Sequence, residues 1–159
     1  MMEEAGIYEG DITGKVESSG TKVHMMDLLI TIDRQKGRFD VALHSKKLDP
    51  KFKALNFYCF PHITSKLSNS CKLGIVNSQT IRFARLISRR VNFVKECAEL
   101  FRILIDERGY SEIKVFRRLY LVMHSIIPIF FSSVGAALKA VKYKLINLRI
   151  ARRARRQLF

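Results

Sequence analysis

The side chains best equipped for chemistry in this chain are arginines. The segment VNSQTIRFARLISRR, residues 76–90, sets Arg82, Arg85, Arg89 and Arg90 among apolar residues and contains no Asp or Glu. A guanidinium stays charged at any physiological pH and presents its donors in a planar fork that fits phosphate oxygens. With Asn77 or Ser78 as N-cap and about 100° per residue, Arg82, Arg85 and Arg89 fall in one narrow arc. Ser78 and Gln79 open the same helix, and Ile81, Phe83, Ala84 and Ile87 form its adjoining apolar face. A second cluster, RRARR, supplies Arg152, Arg153, Arg155 and Arg156, and also has the form of an import signal. Lys46 and Lys47 make a third, smaller group. Exposed like charges repel until a partner neutralises them, so the expected chemistry is binding to a polyanion.

The whole chain leans the same way. Its 159 residues carry 29 Lys and Arg against 14 Asp and Glu, a formal net charge of +15. Residues 1–49 are near neutral, with 9 acidic and 7 basic side chains. Residues 50–95 hold 9 basic side chains and residues 113–159 hold 11, with no acidic one in either stretch. Between them stand Glu96, Glu99, Asp106, Glu107 and Glu112. An apolar content of 48% suffices for a core, and the length suits one domain with an appended tail. The partner is therefore nucleic acid or an anionic lipid surface.

Catalytic patterns are missing. There is no phosphate-cradling glycine loop, no HExxH and no GxSxG. A polymerase holds two metal ions with paired aspartates, and no Asp-Asp pair occurs; YEGD at residues 8–11 does not supply one. Cys59, Cys71 and Cys97 form no CxxC, and a zinc site built from them with His62 has unusual spacing. They are expected as buried, reduced thiols in an intracellular protein, nuclear or mitochondrial rather than secreted. No cofactor, no metal and no independent catalysis are expected.

Several elements must carry these groups. TKVHMMDLLITID, residues 21–33, alternates Met26, Leu28, Ile30 and Ile32, the period of a strand. Gly37 can turn the chain, and RFDVALH resumes the alternation with Phe39, Val41 and Leu43, predicting a β-hairpin over 23–44. Residues 45–74 are irregular, broken by Pro50 and Pro61. Their Phe52, Phe57, Tyr58 and Phe60 either stack on bases or, more commonly, anchor the segment to a core. A second helix follows with Phe93, Cys97, Leu100, Phe101, Leu104 and Ile105 on one face and Gly109 as its C-terminal cap. A third starts at Ser111 and turns Ile113, Phe116, Leu119 or Tyr120, and Met123 inward.

Residues 119–138 contain no charged side chain among 20, enough to span a bilayer, and Arg117, Arg118 and Lys139 flank them. His124, Pro128, Gly135 and three serines oppose insertion, and the first third also completes the third helix. The basic tail sets Leu138, Val141, Leu145 and Leu148 on one helical face, a design that suits RNA or an anionic membrane.

The order of these signals resembles the C-terminal part of reverse transcriptase-like proteins of eukaryotic retroelements, of Penelope-like or related non-viral type. VHMMDLLITIDRQKGRFDVALHSKK, FPHITSKLSNSCKLGIVNSQTIRFARLIS and NFVKECAELFRILIDERGY carry the resemblance, which covers roughly residues 7–123. Met26, Asp27 and Leu28 stand at the family's LDL triplet. His44, Ser45, Lys46 and Lys47 stand at its YDKR, with His and Ser replacing Tyr and Asp. Ser78, Gln79, Arg82 and Arg85 stand at its SQ..R..R helix start. The resemblance implies the end of a palm followed by a helical thumb that tracks a template–primer duplex along its backbone. Fingers and catalytic palm have no counterpart, which implies a fragment, a degenerate copy or one subunit of a split protein.

The expected fold is α+β: an N-terminal β-hairpin, a small thumb-like helical bundle and a basic amphipathic C-terminal helix. The expected divisions are 1–50 for the palm-end segment, 51–75 for a connector, 76–124 for the bundle and 125–159 for the tail. The expected function is non-catalytic binding of RNA or RNA–DNA duplex, with other chains supplying fingers and palm. The rival is a membrane-associated basic protein with a single span at 119–138.

Overall fold

A computed structural model describes residues 20–35, 37–44 and 60–157. Lys46 and Lys47, the connector's aromatics before Phe60 and Cys59 lie outside them. The fold is mixed α+β, a three-stranded antiparallel sheet followed by four helices. Strands β1 (Lys22–Met25), β2 (Leu28–Asp33) and β3 (Arg38–Leu43) form a meander in chain order. The single strand expected over 21–33 is thus two. Met26, at φ 53, sits in the left-handed region, turns the chain and is 81% exposed instead of lining a strand face.

The expected hairpin is present as β2–β3, with Leu28 opposite Leu43, Ile30 opposite Val41 and Ile32 opposite Phe39. Gly37, at φ +58, accommodates the turn between them. Leu43 packs on the helical core, whereas Phe39 at the far end is 65% exposed. The outer edge of β3 is occupied by Ser88. The Val41 N–H donates to Ser88 Oγ at 2.8 Å, and the Ser88 N–H donates to the Val41 carbonyl at 3.0 Å. An otherwise open sheet edge is closed by the junction between two helices.

Helix α1 (Asn69–Leu86) is capped at Ser68, nine or ten residues before the expected Asn77 or Ser78 cap, because Ser68 Oγ accepts the Cys71 N–H at 3.3 Å. Gly74 is carried inside the helix. Residues 87–89 are extended, and α2 (Arg90–Arg102) follows, continued by a π-helical turn over Ile103–Glu107. Helix α3 (Glu112–Phe130) packs on α1. After a turn at 131–133, α4 (Val134–Gln157) packs on α2 and α3. Phe93, Phe101, Leu104, Leu119, Met123, Val141 and Leu145 are fully buried in one core. Helix α4 is therefore part of the bundle: the tail's predicted apolar face is the wall that α2 leans on.

Other expectations shift. Ile113, expected inside, is 80% exposed, while Leu119 rather than Tyr120 faces the core. Cys97 is a buried thiol, and its burial pushes its pKa up, but Cys71 is exposed. Residues 119–138 are divided between α3 and α4, with Leu119, Met123, Phe131 and Ala137 in the core. Among the described residues no helix is long and apolar enough to cross a membrane.

Gly109 caps the α2 unit as expected. At φ +73 it lets the Tyr110 N–H return to the Leu104 carbonyl at 3.0 Å. The neighbouring 60–65 segment is held against this turn. The Tyr110 hydroxyl donates to the Pro61 carbonyl at 3.1 Å, and the buried Lys72 ammonium donates to the Ile63 carbonyl at 2.6 Å. A Cβ at 109 would meet Ile63 Cγ2 at 3.1 Å. Gly109→Ala is expected to cost about 1–3 kcal/mol from left-handed strain plus this contact. Gly109→Asn should lose less, since Asn tolerates that conformation. Urea unfolding of both variants checks this, and an alanine variant as stable as wild type would contradict it.

Candidate nucleic-acid interface

The outer part of α1 lies beside the sheet, and the sheet brings carboxylates to its arginines. Arg82 donates from Nη2 to Asp27 Oδ2 at 2.7 Å, the aspartate standing in the β1–β2 turn. Arg89 bonds Asp40 of β3. Sequence separations of 55 and 49 residues hid both pairs. The row expected to be unneutralised is therefore partly neutralised. Nor does the helix carry all of it: α1 ends at Leu86, and Arg89 sits in the extended junction.

The two pairs leave both side chains partly open to solvent. The side chains of Arg82 and Arg89 are 42% and 50% exposed, while Asp40 is only 12% exposed. The hydrogen bond to Asp40, outweighing partial desolvation, raises the Arg89 pKa and fixes its charge. Arg85 is exposed, with no carboxylate partner among the described residues. Together with Ser78, Ile81, Arg82 and Leu86 it lines a shallow cleft of about 390 Å³. Ser78 Oγ donates to the Ile75 carbonyl at 3.2 Å, and Gln79 is half-buried on the same helix. Arg90 opens α2 with its guanidinium 4.5 Å from the centre of the Phe131 ring, a cation–π contact.

A second charge cluster clamps α4. The Arg102 fork donates to both oxygens of Glu99 at 2.7–3.1 Å and to Glu107 at 2.7 Å. Arg149 holds Asp106 at 2.6 Å and Glu112 at 3.1 Å, and Arg152 donates to Glu107 at 2.9 Å. Burial alone would raise the Glu107 pKa; hydrogen bonds from Arg102 and Arg152 outweigh it and hold the carboxyl below its ordinary value. Hydrogen bonding to Glu99 in turn raises Arg102. Four of the five carboxylates that interrupt the basic stretches thus dock the tail or brace its docking site.

Of the RRARR group, Arg152 is committed to this clamp. Arg153 and Arg155 are exposed and have no carboxylate partner among the described residues, and the Arg156 side chain lies outside them. The structure brings Ser78, Arg82 and Arg85 to one cleft on α1, while Arg89 stands apart in the junction, paired with Asp40 of β3. At the end of β3, His44 stacks on His24 with ring centres 4.1 Å apart, and its N–H donates to the Asp27 carbonyl at 2.7 Å. Asp40 and Arg102 were not singled out by sequence, and Asp27 was read only within the LDL-like triplet, not as a partner for arginine. Only the i,i+3 spacing of Glu99 and Arg102 was legible as a pair. Among the described residues no group of three or more His, Cys, Asp or Glu is placed to hold a metal. Comparison with protein-family models, with curated proteins and with solved structures finds no match.

Proposed function

We propose that this chain is a non-catalytic nucleic-acid-binding module, a palm-end sheet joined to a helical thumb of the retroelement reverse-transcriptase kind. In this reading it grips the backbone of RNA or an RNA–DNA duplex, and other chains supply fingers and a catalytic palm. The observation that carries the proposal is the exposed Arg85, without a carboxylate partner among the described residues, beside Arg82, with Arg89 in the junction that follows α1. Phosphate is a strong competitor for a guanidinium that spends one donor on an exposed aspartate. Asp27 and Asp40 aim the arginine heads before the ligand arrives, which lowers the ordering cost of binding.

Each phosphate contact adds a nearly sequence-independent term whose strength falls with salt, about 0.9 in the slope of log K against log salt per contact on a duplex. Fluorescence anisotropy with labelled duplex RNA is the test. Arg85→Ala should flatten the slope by about one contact, and the Arg82→Ala, Arg85→Ala, Arg89→Ala triple variant by about two to three. Asp27→Asn with Asp40→Asn keeps an acceptor that aims each arginine but removes the competing charge, and should tighten binding. An unchanged slope in the triple variant would overturn the assignment of this face.

A further inference from the structure

Helix α4 has two apolar faces, and the bundle uses only one. Val141 and Leu145 are fully buried against α2. Tyr143, Ile146 and Ile150 are 70%, 44% and 59% exposed. At about 100° per residue these three share an arc of about 60°, centred opposite the buried face. They therefore form a convex outer ridge. Lys139 falls within the same arc, and Lys142 and Arg153 border it on one side. All three cations are exposed, with no carboxylate partner among the described residues, and α4 contains no acidic residue at all.

This combination selects an occupant. Isoleucine gains nothing from a sugar–phosphate backbone, so a polyanion alone leaves the ridge unsatisfied. A second copy of the chain would bring the same cations face to face. A flat surface that is apolar beneath and anionic on top satisfies both features, and a convex ridge can meet it without obstruction by the other helices. Lys and Arg side chains reach outward along an apolar strip to keep their charges in the head-group layer, and Tyr suits the same boundary. We propose that the outer face of α4 docks on an anionic lipid bilayer, with Tyr143, Ile146 and Ile150 entering the head-group boundary and Lys139, Lys142 and Arg153 meeting lipid phosphates. The helix lies in the plane of the surface and does not cross it. The inference is independent of the α1 arginine face.

The chain contains no tryptophan, so Tyr143→Trp supplies a single fluorescent reporter on the ridge. With the full chain, its emission should shift to the blue on adding phosphatidylcholine–phosphatidylserine vesicles and stay put with phosphatidylcholine alone. In vesicle flotation, the Tyr143→Ser, Ile146→Ser, Ile150→Ser variant should bind the anionic vesicles at least about tenfold less tightly, with unchanged far-UV circular dichroism and unchanged RNA affinity. No blue shift with anionic vesicles would overturn the proposal. So would undiminished vesicle binding by the serine variant, which would mark a purely ionic attraction. A concentration-dependent dimer that the serine substitutions abolish, or a blue shift produced by duplex RNA instead of vesicles, would assign the ridge to another occupant and equally overturn it.

Discussion

Phe93→Ala should be among the most damaging single truncations in this protein, costing about 3–5 kcal/mol of folding free energy. Phe93 is fully buried near the start of α2. Its ring stacks on Phe130 at 4.9 Å between centres and meets Phe131 edge-on at 6.1 Å. Those two residues form the corner between α3 and α4, so Phe93 is the peg around which the last helix reverses direction. Arg90 covers the outer side of Phe131, leaving little freedom for the corner to collapse into a vacated space. A domain of this size has about 5–15 kcal/mol in total, so the alanine variant should lie near its unfolding threshold. Phe93→Leu, which keeps most of the volume, should lose far less. Denaturant unfolding followed by circular dichroism distinguishes the two, and an alanine variant within about 1 kcal/mol of wild type would show that the corner does not depend on this ring.

The second large effect is expected at Arg102, whose side chain is only 12% exposed and which serves both Glu99 and Glu107. Arg102→Ala leaves Glu99 without its arginine and Glu107 with Arg152 alone, and frees one anchor of the surface on which α4 rests. Breaking a shielded ion pair from one side costs about 3–5 kcal/mol; partial exposure of both glutamates reduces this to about 2–3. The pH dependence gives the sharper signature. A carboxyl whose folded pKa is lowered contributes stability above its unfolded pKa, near the ordinary value of 4.5, and loses it as pH falls through the folded value. Wild type should therefore weaken on acidification below that point. The variant, already without most of the benefit, should weaken less, and the two curves should converge. Parallel curves across that range would rule out Glu107 as the group responsible.

How far these features could be read in advance depended on whether their cause was local. Leu28, Ile30 and Ile32 alternate, as do Phe39, Val41 and Leu43, and with the glycine at 37 that period specifies two strands and a turn, though not their exact register. The spacing from Phe93 to Ile105 and the glycine at 109 likewise specify a helix and its end. Met26 defeated the period because a two-residue turn interrupts a run of suitable strand formers. Ser68 and Ser78 are equally good caps by type, and only the packing of Val76 and Thr80 in the bundle tells which begins the helix. The arginine face was legible as a set of residues but not as a charge state. Nothing near Arg82 or Arg89 in sequence signals Asp27 or Asp40, because those partners arrive only when the sheet folds alongside α1. The tail was legible as amphipathic, yet its periodicity could not name α2 as the surface it covers.

The position of RRARR within the last turns of α4 makes its accessibility depend on the folding of that helix. A carrier that grips basic peptides in extended form must first unwind those turns and pull Arg152 away from Glu107. Such binding would then favour copies whose C-terminal end has already let go of α2, making access to these arginines a gauge of how well the last helix is seated.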